Sequence, residues 1–395
     1  MTALRDEPSG RSSGTVWDDL VGQRRAIAAL EAAAAGHGMS HAWLFTGPPG
    51  SGRSNAAMAF AAALQCERQG CGECHACHTV LAGSHADVAL IRTQKLSIGV
   101  GEVRDLVRRA ALTPVGPRWQ ILVVEDADRL TDEAFNALLK AIEEPTPRTV
   151  WMLCAPTADD VLPTIRSRCR LVGLTTPTAE DVAAFLVRKD GVDAGLASYA
   201  ARASQGHIGR ARALARDEAT RNRRREVVTI PATLTTLGNC MQAAGNLNDV
   251  TKEEADLIIG ELDLREKRDL ETSFGVVERG RRPREYAPAL SQLEKDQRTR
   301  AKRRHLDVVD RGLMDLVSVY RDAIALATGA PGELVNEEVR ADVEQVARTS
   351  TPELNLRRIG WIFDAREQML EFNVPVPLAL ESMMLALKVP GGGGR

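Results

Sequence analysis

Between Ala42 and Val172 the apolar residues gather into five short runs, AWLFT, DVALI, ILVVE, VWMLC and RLVGL, separated by stretches long enough for crossover helices. Runs that are apolar throughout, rather than alternating, suit strands covered on both faces, and so predict a parallel sheet in an α/β domain. After Pro177 the pattern becomes helical, first in a small segment ending near Arg225 and then in a long one reaching the GGGGR terminus. In the long segment Val309, Leu313, Leu316, Tyr320 and Ile324 recur at steps of three or four, which marks a helix with one buried face. Residues 1–14 are rich in Ser, Gly and charge, have no apolar period, and read as a disordered tail. The expected domains are an α/β domain over 15–175, a helical lid over 176–225 and an all-α domain over 226–395.

Composition sharpens this reading. Aromatics make up only 4% of the 395 residues, so the cores must be filled by alanine and aliphatic side chains carried mostly on helices. Lysine and arginine number 51 against 53 acidic residues, a balance without the basic excess of a protein that grips DNA alone. That balance, with few aromatics near the cysteines, also speaks against a zinc-dependent nucleic-acid binder built on stacking platforms. No stretch approaches the roughly 20 apolar residues of a membrane span, and the polar start RDEPSGRSSG lacks the apolar core of a signal peptide, so a cytoplasmic protein is expected.

Gly47-Pro-Pro-Gly50-Ser-Gly52-Arg53-Ser54 follows the run AWLFT and precedes the alanine-rich stretch SNAAMAFAAALQ, the strand-to-helix setting of a phosphate-binding loop. Such glycines let backbone N–H groups cradle phosphates at a helix N-terminus, and Ser54 is placed to hold Mg²⁺ through its hydroxyl. The lysine that should reach the β- and γ-phosphates is instead Arg53, and a guanidinium fork does not replace a compact ammonium at a tight site. Two readings stand: a loop that binds ATP with Mg²⁺, and a relic that only joins strand to helix. The run ILVV leads into Glu125-Asp126-Ala127-Asp128, where active ATPases of this kind carry Asp-Glu-Ala-Asp, so the two acids are in swapped order. Exchanging a short and a long carboxylate displaces both by about one methylene, and catalysis tolerates errors of ~1 Å poorly. The alternative is a solvated strand end.

Four of the seven cysteines, Cys66, Cys71, Cys74 and Cys77, form C-x4-C-x2-C-x2-C just after the phosphate-loop helix. In a reducing compartment such clustering points to a metal, and four thiolates suit closed, tetrahedral, structural zinc. His75 or His78 could replace one thiolate; an iron–sulfur pattern needs a further Cys-Pro where Leu81-Ala82 stands. Cys154, Cys169 and Cys240 read as small core residues. Ser167-Arg168-Cys169 ends the helix-like stretch ADDVLPTIR, and an arginine there can project from the domain toward a neighbour's nucleotide. Equally, Arg166, Arg168 and Arg170 could complement the negative end of a helix dipole.

Taken together, VWDDLVGQ (residues 16–23), SHAWLFTGPPGSGRS, the cysteine quartet, VVEDADRLTDEAFNALLKAIEEP and TIRSRC resemble bacterial clamp-loader subunits, a family of AAA+ proteins, in the order that family shows them. The resemblance covers about the first 210 residues. It implies an AAA+ P-loop domain with a helical lid and an all-α oligomerisation collar, the collar echoed in YRDAI and NVPVPLALESMMLAL. Some members carry a lysine loop and a DEAD-like motif; others have degraded versions yet keep the Ser-Arg-Cys arginine, and this sequence resembles the second kind. The resemblance further implies Arg168 as an arginine finger acting in trans, Thr157 as sensor 1 and Arg210 as sensor 2. Its implied partners are ATPase subunits of the gamma or tau type, the clamp-opening delta subunit, the sliding clamp and primed DNA, within the DNA polymerase III holoenzyme. Two functions follow: a stator that barely hydrolyses ATP, and an independently active AAA+ motor.

Overall fold

A computed structural model describes residues 14–93, 97–274 and 283–388. The expected tail, apart from Gly14, and the GGGGR terminus lie outside the described residues. The chain forms two compact units, which part between Ala211 and Arg212.

In the first unit the elements run α1 (Arg24–Ala34), β1 (Ala42–Thr46), α2 (Arg53–Gln65), α3 (His75–Leu81), β2 (Val88–Ile91), α4 (Val100–Ala110), β3 (Gln120–Val124), α5 (Asp132–Glu143), β4 (Thr149–Ala155), α6 (Pro163–Arg166), β5 (Arg170–Gly173), α7 (Ala179–Asp190), α8 (Ala194–Ser204) and the start of α9 (Ile208–Arg216). The five strands are the five apolar runs, and they form one parallel sheet in the order β2-β3-β4-β1-β5. Register aligns Leu44 with Leu153 on one side and Leu171 on the other. The three inner strands are buried along their whole length, as uninterrupted apolar runs require. Edge strand β5 is partly exposed.

Helices cover both faces of the sheet. On one side the alanines of α2 allow close approach to β1, β3 and β4, and Phe60 meets Trp43 edge-on at 4.8 Å. On the other, α5 starts where the Thr131 hydroxyl caps the Ala134 amide at 3.3 Å and buries Phe135, Leu138 and Ile142, with Leu139 half-buried beside them. Pro145 follows its end.

The second unit contains α10 (Glu218–Thr233), α11 (Leu237–Ser273), α12 (Tyr286–Thr328), α13 (Arg340–Thr349), α14 (Pro352–Leu370) and α15 (Val376–Leu387). Helices α11 and α12 are antiparallel: Gln297 donates to the Asp263 carbonyl at 3.0 Å, His305 meets Thr251 at 3.2 Å, and Gly312 lies against Leu247. Val309, Leu313, Leu316 and Tyr320 face the core of this unit, and Ile324 is half-buried. A buried polar network runs through it. Arg224 reaches Asp315 at 3.3 Å, Asn336 at 2.6 Å and Glu338, while Asn336 also donates to Ser318 and Asp322, each at 2.9 Å. Because Arg224 is committed to this network, its helix belongs with the second unit.

Candidate nucleotide and metal sites

The sequence 47–54 forms the turn between β1 and α2, so its backbone amides gather at the C-terminal edge of the sheet beside the start of a helix. In parallel sheets this edge is where ligands bind. The loop is tied to the neighbouring strand end: the Gly47 amide donates to the Pro156 carbonyl at 3.0 Å. Gly50 has φ +84°, and a Cβ placed there would fall 2.6 Å from the His207 ring, so only glycine fits beneath that histidine. Gly52 and Ser54 lie at the mouth of α2, part-exposed.

Arg53 does not extend like a phosphate-reaching lysine. Its guanidinium folds back and donates to the Gly47 carbonyl at 2.7 Å, so the loop's own backbone holds one end of the fork. Beside it, Glu125 follows β3, its carboxylate buried and gripped from both oxygens by Arg92, Nε to Oε2 at 2.5 Å and Nη2 to Oε1 at 2.9 Å. The bond to Glu125 raises the Arg92 pKa further above its ordinary value. This pairing is set by register: Ile91 at the end of β2 lies opposite Val124 at the end of β3, so the residues that follow, Arg92 and Glu125, are neighbours. Asp126 follows on the way into a 3-10 turn at Ala127–Arg129. Burial lifts the Asp128 carboxyl above the usual carboxylate range, with the nearby charge of Asp126 adding to the rise and that of Arg53 opposing it.

The other residues singled out in the sequence lie further from the loop or at the surface. Thr157, just past β4, is exposed, and both its amide and its hydroxyl donate to the Asp160 carboxylate, at 2.7 and 2.9 Å. Arg210 lies in the first turn of α9, where its amide donates to His207 Nδ1 at 3.2 Å. Arg168 sits just after α6 on the surface, its Nη1 on the Thr164 carbonyl at 2.7 Å and its Nη2 on Glu143 at 2.8 Å. Next to it, burial pushes the Cys169 thiol up to about 12, so this cysteine stays a neutral core group.

The four clustered cysteines converge. Their sulfurs all lie within 4.8 Å of one another, with Cys66 Sγ 3.6 Å from both Cys71 Sγ and Cys74 Sγ. Cys66 closes α2, the Cys74 sulfur caps α3 by accepting the Cys77 amide at 3.4 Å, and Cys66 and Cys77 are buried. Burial alone would raise the Cys66 thiol, but backbone amides of Cys71, Gly70 and Arg68 outweigh it and bring the pKa down to about 6. Backbone donation from Glu73 lowers Cys71 as well, whereas burial raises Cys77. Four converging sulfurs held by amides that favour thiolate fit a four-coordinate zinc ion with no open position. His75 and His78 are outside the cluster.

Reasoning from sequence missed Arg92, Glu143 and His207. Arg92 follows the run DVALI directly, and the strand order that brings it beside Glu125 was the missing signal. Glu143 lies in the stretch ending AIEEP and His207 three residues before Arg210, but their contacts depend on how α5 and α9 pack.

Comparison with known proteins agrees with this geometry. Residues 22–178 match the family model described as DNA polymerase III, delta subunit. Over this stretch the chain is similar to subunits of the DNA polymerase III class. Within that class the likeness extends to the delta-prime subunit: that of Haemophilus influenzae is 37% identical over 157 residues, 39% of this chain and 48% of the relative. The Pseudomonas aeruginosa delta-prime subunit is 36% identical over 155 residues, 38% of this chain and 47% of the relative. The tau subunit of Bacillus subtilis is 35% identical over 158 residues, 39% of this chain and 28% of the relative. The matched stretch thus spans less than half the length of these curated relatives. No helix among the described residues is long and apolar enough to cross a membrane.

Proposed function

We propose that this chain is the delta-prime, or stator, subunit of a bacterial clamp loader, supporting ATP-dependent loading of the sliding clamp onto primed DNA. The observation that carries this reading is the bidentate grip of Arg92 on Glu125. The acid at the position that would organise Mg²⁺ is already neutralised, and the cation expected at the phosphates, Arg53, is drawn onto Gly47. Both features argue for a P-loop domain whose own turnover is weak or absent. Its chemical contribution is then Arg168, a surface guanidinium offered to the nucleotide of an adjacent gamma- or tau-type subunit. There it would stabilise charge developing on the transferred phosphoryl group.

The proposed partners are gamma or tau ATPase subunits, the delta subunit, the clamp and primed DNA, in the cytoplasm and within the DNA polymerase III holoenzyme. The helical second unit serves as the collar. Cys66, Cys71, Cys74 and Cys77 hold structural zinc, which orders their loop and takes no part in turnover. Thr157 and Arg210 take the sensor positions of this family, although Thr157 is engaged by Asp160. The intact glycine spacing and Ser54 favour a second reading, an independently active AAA+ motor that binds ATP with Mg²⁺ in its own loop. Steady-state ATPase of the isolated chain separates the two: the stator reading expects turnover at background, and turnover like that of a working AAA+ motor would overturn it.

A further inference from the structure

The segment Gly14–Gln23 touches three parts of the first unit that are far apart in sequence. At its start, the Val16 amide donates to the Gly70 carbonyl at 3.0 Å, inside the loop that carries the cysteines. The fit there is close: a Cβ on Gly70 would lie 2.7 Å from Val16 Cγ2, and one on Gly72 would lie 2.2 Å from the Gly14 carbonyl. Val16, Trp17 and Leu20 are buried in the same core cluster as Cys66 and Cys77. In its middle, Asp19 pairs with Lys189 of α7 at 3.2 Å. At its end, Gln23 is 3% exposed and its amide forms a fork: Nε2 donates to the Ser51 carbonyl at 3.3 Å and to the Thr175 carbonyl at 2.7 Å, while Oε1 accepts the Thr175 amide at 3.1 Å.

Ser51 belongs to the phosphate loop, and Thr175 lies in the connection from β5 into the lid helix α7. One buried side chain therefore links the phosphate loop to the root of the lid, using both donors and its carbonyl. Gly22, beside it, packs against Pro177 at 3.3 Å from a built Cβ. A segment of this kind stays ordered only if it is tied down. Its ties at one end are backbone and apolar contacts with the cysteine loop, and that loop takes a single shape when four sulfurs share one ion.

We infer that Gln23 is the positioning residue of the junction between phosphate loop and lid, and that the cysteine module with its metal is the clamp that holds the strap carrying Gln23. The clamp half rests on the zinc reading above; the Gln23 half stands without it. The path from the sulfurs runs through Gly70, Val16 and the buried strap to Gln23, then to Ser51 and Thr175. Because coupling of two equilibria is reciprocal, loosening the junction must also weaken metal retention.

Amide hydrogen exchange on the full chain, zinc-loaded and stripped by a chelator, tests this, with zinc content measured on each sample. Stripping is expected to speed exchange at Val16 and, further along, at Thr175 by about three- to tenfold, the scale of one lost hydrogen bond, while amides of β3 and β4 hold. In Gln23→Leu, Thr175 exchanges fast from the outset and no longer responds to zinc, Val16 still responds, and zinc binds more weakly than to the unmodified chain in competition with a chelator. Thr175 staying protected while Val16 loosens, or Gln23→Leu holding zinc as tightly as the unmodified chain, would overturn the clamp. A chain that takes up no zinc overturns the metal reading together with the clamp. Thr175 remaining protected in Gln23→Leu overturns the positioning role whatever the metal does.

Discussion

Arg92 and Glu125 face each other across adjacent parallel strands and share two hydrogen bonds, at 2.5 and 2.9 Å. A carboxylate at the end of the strand next to a phosphate loop is where an ATPase organises Mg²⁺. Here a fork-shaped cation already fills that role in the geometry suited to carboxylates. Arg92 is 62% exposed, so solvent screens its end of the pair, but Glu125 is buried and would lose its cation. Arg92→Ala is therefore expected to cost about 1–3 kcal/mol in denaturant unfolding, less than breaking a fully buried pair. On its own it should not create turnover, since Arg53 still turns toward Gly47. In Arg53→Lys/Arg92→Ala, isothermal titration should show Mg²⁺-dependent tightening of nucleotide binding that the unmodified chain lacks.

The cysteine cluster predicts a direction with pH. With the metal removed, Cys66 has a folded pKa of about 6 against an ordinary thiol value of 9.0, and Cys71 is lowered too. Depressed groups contribute stability that is present above the unfolded value and lost as pH falls through the folded one. Cys77, raised by burial, keeps its proton when folded but begins to lose it near pH 9 when unfolded, so it offsets part of this gain at the top of the window and little below it. The stripped chain should thus lose stability progressively from pH 9 to 6, seen as a falling denaturation midpoint. Zinc affinity should fall over the same range, because protons compete for the thiolates. Cys66→Ser should flatten the stability profile and abolish tight zinc binding.

In the second unit, Arg224 is almost wholly buried between Asp315, Asn336 and Glu338. Removing it leaves Asp315 buried without that cation, so Arg224→Ala is expected to cost about 3–5 kcal/mol. Chemical unfolding followed by far-ultraviolet circular dichroism reads this. Replacing Arg340, which is half-exposed and paired with Glu337 one turn away, should stay within about 0.5 kcal/mol.

Much of this organisation was legible before the structure. The five strands were legible because inner strands of a parallel sheet must be apolar throughout. The four cysteines converge because their close spacing in sequence brings the sulfurs to one loop and the ends of two helices. What could not be read were relations that depend on which element lies beside which. Arg92 meets Glu125 only because β2 is placed next to β3, and Arg168 meets Glu143 only because α6 follows the end of α5 in space. Nor does sequence show where the two units part: helical periodicity continues through the 211 and 225 regions, and the partners that claim Arg224 are about a hundred residues away. Arg53 was singled out as a departure, but its return to Gly47 is a rotamer choice that sequence does not encode.

The central claim is that this chain contributes an arginine to a neighbour rather than turning over nucleotide itself, and Arg168 can be tested without disturbing the fold. Its guanidinium is 40% exposed and its partner Glu143 44%, so Arg168→Ala should leave the melting of the isolated chain within about 0.5 kcal/mol. The decisive measurement is steady-state, DNA-stimulated ATPase of a clamp loader reconstituted with unmodified or Arg168→Ala subunit. The account predicts a drop approaching the ~10³-fold value of a trans-acting arginine at the site it completes, with Arg168→Lys failing to restore it. An Arg168→Ala complex that assembles and hydrolyses ATP at the unmodified rate would contradict it.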